Sequence, residues 1–91
     1  MIEYLNPIDC EGTKLEINDN IVIVKIPNHL LENLPKIDKK AITAQIGKQF
    51  NIKEFDRFGF VEIEFEYQLE NTEITYHTIW IEPDCLKKIA A

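Results

Sequence analysis

Serine is absent from this 91-residue chain, and arginine occurs once, as Arg57. The first absence excludes a serine nucleophile and every hydrolase built on one. The second leaves a single copy of the fork-shaped donor that most often reads phosphates and base edges. With a net charge of −6 opposing any polyanion, nucleic acid is not an expected partner. Cysteine is scarce as well: Cys10 and Cys85 are too few for a disulfide scaffold or a thiolate zinc site. No apolar run approaches the roughly 18–20 residues of a membrane helix. Met1-Ile2-Glu3-Tyr4 has neither the basic nor the apolar segment of a signal peptide. The expectation is a cytoplasmic protein with reduced thiols and no membrane partner. Only three Gly and four Pro occur, without a low-complexity tract, so nothing marks a linker and one domain over residues 1–91 is expected. Heavy use of Ile, Lys, Glu and Asn fits an AT-rich bacterial genome.

What is present reads mainly as β-structure. Residues 1–14 hold Pro7, Gly12 and scattered acids with no sustained period, which predicts an arm packed through Ile2, Tyr4, Leu5 and Ile8. Asn18-Asp19-Asn20 is a turn-forming trio. The β-branched run Ile21-Val22-Ile23-Val24-Lys25-Ile26 after it predicts a strand buried on much of both faces, stopped by Pro27. Between Asn28 and Gly47 the period turns helical, with Asn28 as an N-cap, Pro35 as a break or a new start, and Gly47 past the end. Ile37, Ala41 and Ala44 share one side of that helix and Ile42 and Ile46 another, which predicts a helix wedged between two surfaces.

The second half alternates with period two. Phe50 and Ile52 face one way in residues 48–55, and Asp56-Arg57-Phe58-Gly59 is a hairpin turn. Val61, Ile63, Phe65 and Tyr67 oppose Glu62, Glu64 and Glu66. After a turn near residues 69–72, Tyr76 and Trp80 take one face of the next strand and His77, Ile79 and Ile81 the other. Pro83 ends it, one helical turn follows, and Lys88-Ile89 closes the chain.

Two stretches resemble the SH3-like small barrels. Leu15-Glu16-Ile17-Asn18-Asp19-Asn20-Ile21-Val22-Ile23 looks like their opening turn and first long strand, with Asn18 where glycine is usual. Ile81-Glu82-Pro83-Asp84-Cys85-Leu86 resembles the proline-led turn that joins their last two strands. The resemblance covers residues 15–89 and implies a barrel of about five strands, with residues 28–47 as a helical insertion after the first long strand. The small SH3-like chain of ferredoxin–thioredoxin reductase is similar in size and layout, though no functional residue can be matched to it. The Ala-Leu-Tyr-Asp-Tyr cluster that grips polyproline in signalling SH3 domains is absent, so that ligand does not carry over.

Charge is polarised along the chain. Residues 54–84 carry nine acids against Arg57, while residues 36–53 carry five lysines against Asp38. Glu62, Glu64 and Glu66 recur on one strand face about 7 Å apart, so each adjacent pair repels by about 0.6 kcal/mol in water. Lys53, on the matching face of the preceding strand, is placed to relieve part of that. The row reads either as a solvated polar face or as a ridge for a basic protein. It is a poor metal site even with His77 nearby, because side chains at i, i+2 and i+4 splay apart. His29 reads as a surface or capping residue, His77 as a satisfied cross-strand side chain and Cys85 as a small buried apolar residue. A Cys10–Cys85 disulfide would tie the arm to the last turn, against the expected reducing compartment.

These readings converge on an acidic protein-binding module with no cofactor and no enzymatic activity. The candidate partner-binding residues are Glu62, Glu64, Glu66, Phe58, Phe60 and Trp80, and the expected partner is a basic protein. An inhibitor or immunity protein facing a basic toxin is one specific version. The alternative is an accessory or regulatory subunit of an enzyme, which would use an apolar interface of barrel and helix.

Overall fold

The computed structural model describes residues 5–68 and 73–89. Six strands form two three-stranded antiparallel sheets with one helix beside them, so the chain is mainly β. In the first sheet β1 (Asn20–Ile23) is central, between β2 (Gln49–Asn51) and β6 (Leu86–Lys88). In the second, β4 (Val61–Gln68) lies between β3 (Glu54–Phe55) and β5 (Ile74–Ile81). No strand pairing joins the two sheets, so among the described residues they do not close into a barrel. The chain crosses between them at Ile52 and Lys53. Ile52 is fully buried, and its N–H donates to Asp19 C=O at 3.0 Å, an anchor that bends the run into two short strands.

The inner faces follow the alternation. Val61, Ile63 and Phe65 stand opposite Ile81, Ile79 and His77 across β4 and β5. They meet Ile21, Ile23 and Leu86 of the first sheet in one core, closed by Leu15, Ile52, Ala41, Ile42 and Cys85. The β3–β4 hairpin is held by Asp56. Its carboxylate accepts the N–H groups of Phe58 and Phe60 at 2.8 and 2.9 Å, and its own N–H donates to Phe60 C=O. Gly59 sits at φ +95°, where a Cβ would lie 2.5 Å from the carbonyl oxygen of Leu5. Asn18 adopts φ +76°, as a turn Asn is able to do. The proline-led turn is a 3₁₀ turn, Pro83–Cys85, leading directly into β6.

Several expectations need correction. The first long strand spans Asn20–Ile23 and buries one face only: Ile21 and Ile23 are inside, while Val24 is exposed. It stops early because Gly47 N–H and Lys48 C=O bond to the backbone of Ile23, so the returning chain occupies that end. The helical region is a 3₁₀ turn at Asn28–Leu30 and the helix α1 (Lys36–Thr43), separated by Asn33 at φ +63°. Asn28 is the first residue of its turn, not the cap; its carbonyl accepts Leu31 N–H at 2.9 Å. Pro35 is the N-cap that precedes the helix, not its first position, and its carbonyl takes Lys39 N–H at 3.0 Å. α1 is not wedged between two surfaces. Ala41 and Ile42 are buried with Gln45 just beyond the helix, whereas Ile37 is 54% and Ile46 47% exposed.

The N-terminal segment also packs differently. Ile8 is exposed, and Ile2 and Tyr4 lie outside the described residues, as does the second hairpin turn at residues 69–72. What fixes the segment is Asp9. Buried, it accepts N–H groups from Glu11 and Thr13 on Oδ1 and from Lys88 on Oδ2, at 2.8–2.9 Å. Leu15 beyond it is sealed in the core.

Candidate functional site

The outer face of the β3–β4–β5 sheet gathers most of the expected binding residues. Glu54, Glu62 and Trp80 share one rung, Glu64 and Thr78 the next, and Glu66 and Tyr76 the one after. The alternation that sends Val61, Ile63 and Phe65 inward turns these carboxylates outward. Lys53 reaches the row, its Nζ 2.5 Å from Glu64 Oε2. A hydrogen bond and the charge of Glu64, with a smaller contribution from Glu62, raise the Lys53 pKa above its ordinary 10.5. Glu54 and Glu62 have no ion pair among the described residues, although like charges directly opposite on a rung repel.

Trp80 is 44% and Tyr76 76% exposed. Trp80 forms a wall shared by two depressions. On one side lies an acidic pocket of about 270 Å³ lined by Glu54, Asp56 and Glu62 with Phe55 and Arg57. On the other is a more apolar cleft of about 410 Å³ between the helical segment and β5, lined by Leu30, Leu34, Ile42 and Ile79 with Asp38 at its rim. His29 Nε2 contacts both carboxylate oxygens of Glu82, at 2.8 and 2.9 Å, which ties the 3₁₀ turn to the chain just after β5.

The six expected residues do not form one patch. Glu62, Glu64, Glu66 and Trp80 lie together, whereas Phe58 and Phe60 are half-buried in the β3–β4 turn. Phe58 carries the Arg57 guanidinium 4.8 Å above its ring and accepts Leu5 N–H at its carbonyl. Both phenylalanine backbones belong to the Asp56 turn network. Sequence reasoning set Tyr76 on Trp80's face but left it out of the candidate residues, as it did Glu54, and it missed the apolar cleft. The first two were legible from period two once the register was known. The cleft joins residues far apart in sequence and had no local signal.

Half-buried His77 is stacked on Phe65 with centroids 5.1 Å apart and lies 3.0 Å from Thr75 Oγ1; it lines a depression of about 410 Å³ together with Lys53, Glu64 and Glu66. Cys10 is exposed and Cys85 buried, both as free thiols. Burial first, then the charges of Asp84 and Glu82, push the Cys85 thiol up to about 11. Among the described residues no helix is long and apolar enough to cross a membrane. Compared with protein families, curated proteins and solved structures, the chain matches none.

Proposed function

We propose that this protein is a binding module, not an enzyme, and that it docks a basic protein on the outer face of the β3–β4–β5 sheet. The observation that carries this reading is the pairing of Glu54 with Glu62 beside Trp80. Two like charges share a rung next to an exposed aromatic ring. A Lys or Arg of a partner entering there relieves the repulsion and lies against the indole, where partial desolvation strengthens a cation–π contact. Charge of one sign along Glu62, Glu64 and Glu66 speeds encounter with a basic surface and rejects acidic ones. The engagement of both histidines and the high pKa of Cys85 support a role without catalysis. An inhibitor or immunity protein of a basic partner is the specific version favoured by size and charge.

The SH3-like resemblance belongs to the same proposal, as an opened form of that barrel. It is supported by a second strand split between the sheets at Ile52–Lys53, and by a 3₁₀ turn feeding a last strand that pairs with the first. The reading of an accessory subunit with an apolar interface keeps one observation in its favour, the exposure of Ile74, Tyr76 and Trp80 along β5.

The test is affinity capture from native extract at about 0.05 and 0.5 M salt, where screening lengths differ roughly threefold. Glu54→Lys with Glu62→Lys is expected to abolish capture at low salt while leaving the circular dichroism spectrum unchanged. Capture that survives both the double substitution and high salt, yet is lost in Trp80→Ala, would overturn the ionic reading in favour of the apolar one.

A further inference from the structure

Among the described residues β5 is an edge strand that pairs with no strand on its outer side. Among the described residues its backbone bonds only to β4, so alternate N–H and C=O groups face outward along eight residues. Edges are ordinarily blunted by shortness, by charge or by proline. The opposite edge of the same sheet, β3, is two residues long and flanked by Lys53 and Asp56. In the other sheet, β2 and β6 are three residues each, and β6 carries Lys87 and Lys88. The β5 sequence Ile-Thr-Tyr-His-Thr-Ile-Trp-Ile has no acid, lysine, proline or glycine. The apolar cleft opens along this edge, since His77, Thr78, Ile79 and Trp80 all line it.

We infer that β5 receives an extended segment of the basic partner as an added strand, with apolar side chains on one face entering the Leu30–Leu34–Ile42 cleft and Lys or Arg on the other reaching the glutamate row. The inference rests on the proposed binding role of this sheet and specifies the form of the ligand. Period two makes the two chemistries compatible, because successive side chains of a strand point to opposite faces. An added strand lies about 10 Å from β4, two interstrand spacings, within reach of a long cationic side chain directed at Glu62, Glu64 or Glu66. Charge selects the occupant. A second copy of this chain would bring another net −6, and its own β5 offers no lysine or arginine to meet the carboxylates.

The probe is a synthetic peptide of eight residues, the length of β5, alternating Lys with Ile or Val. It is compared with an isomer of the same composition that blocks the lysines together, and with two forms N-methylated at odd or at even positions. Binding is followed by the fluorescence of Trp80, the sole tryptophan, and by hydrogen exchange of β5 amides. The alternating peptide is expected to bind about tenfold or more tighter than its isomer and to slow exchange at every second β5 amide. N-methylation is expected to abolish binding in one parity only. Equal binding of both isomers, lost at high salt and without new amide protection, overturns strand addition while the acidic-face reading stands. Binding of neither peptide overturns both. Slowed β5 exchange in the free protein that grows with its concentration assigns the edge to a second copy and overturns the inference.

Discussion

Asp9 shows how one side chain holds a segment with little regular structure. Burial by itself would raise its pKa, but three N–H bonds, from Lys88, Thr13 and Glu11, outweigh that and hold the carboxyl below the usual 3.8. The group is therefore more acidic folded than unfolded. Its contribution is fully present above the unfolded pKa and is lost as pH falls through the lower folded value. Asp9→Asn keeps one acceptor and replaces the other with a donor aimed at an N–H. It is expected to cost about 2–3 kcal/mol in urea unfolding at pH 7. The difference from wild type should begin to narrow as pH falls below 3.8, where the unfolded carboxyl protonates, and finish narrowing below the lower folded value. An unchanged midpoint at pH 7 would show that the three N–H groups find water equally well.

Among the elements, β4 carries two separable roles on its two faces. Ile63 is fully buried opposite Ile79, so Ile63→Ala removes core volume that its neighbours cannot refill, at a cost of about 3 kcal/mol. Tyr76, on the neighbouring strand and outer face, is largely solvated, and Tyr76→Ala should change stability by less than about 0.5 kcal/mol. Its effect is expected in partner capture instead. Denaturation midpoints for the two variants check the contrast. A large loss in Tyr76→Ala would mean that the outer face is part of the core's support and not an available surface. α1 is a weaker element with a narrow anchor. Gln45 satisfies itself by donating to Ala41 C=O at 3.0 Å, and Ile37 points away.

At the scale of the whole molecule, the two thiols report on the fold differently. Cys10 is exposed, while Cys85 lies in the core with its pKa pushed up to about 11. Iodoacetamide at pH 8 is therefore expected to label Cys10 promptly and Cys85 only through opening of the fold, read as two mass increments at different rates. Adding urea below the unfolding midpoint should accelerate the second and leave the first nearly constant. Equal rates would mean that residues 83–89 open independently of the core.

Local pattern alone was enough to set the strand faces of the second half. Strict alternation from Val61 to Tyr67 and from Tyr76 to Ile81 leaves one way to bury the apolar set, so the inner core and outer glutamate row follow from period two. It also determined the Asp56–Gly59 turn, the Asn18 turn and the proline-led turn at residue 83, because each depends on local backbone chemistry. Long-range contacts set the remainder. The Ile21–Ile26 run looked buried on both sides because β-branched residues suit any strand, and the chain returning at Gly47 and Lys48 cut it short. Asp9 is held by Lys88, far along the chain, and the Trp80 cleft is walled by residues 30 to 42, so neither leaves a trace in local pattern. Likewise the division into two unclosed sheets turns on where Ile52 is anchored to Asp19, a non-local bond that periodicity does not encode.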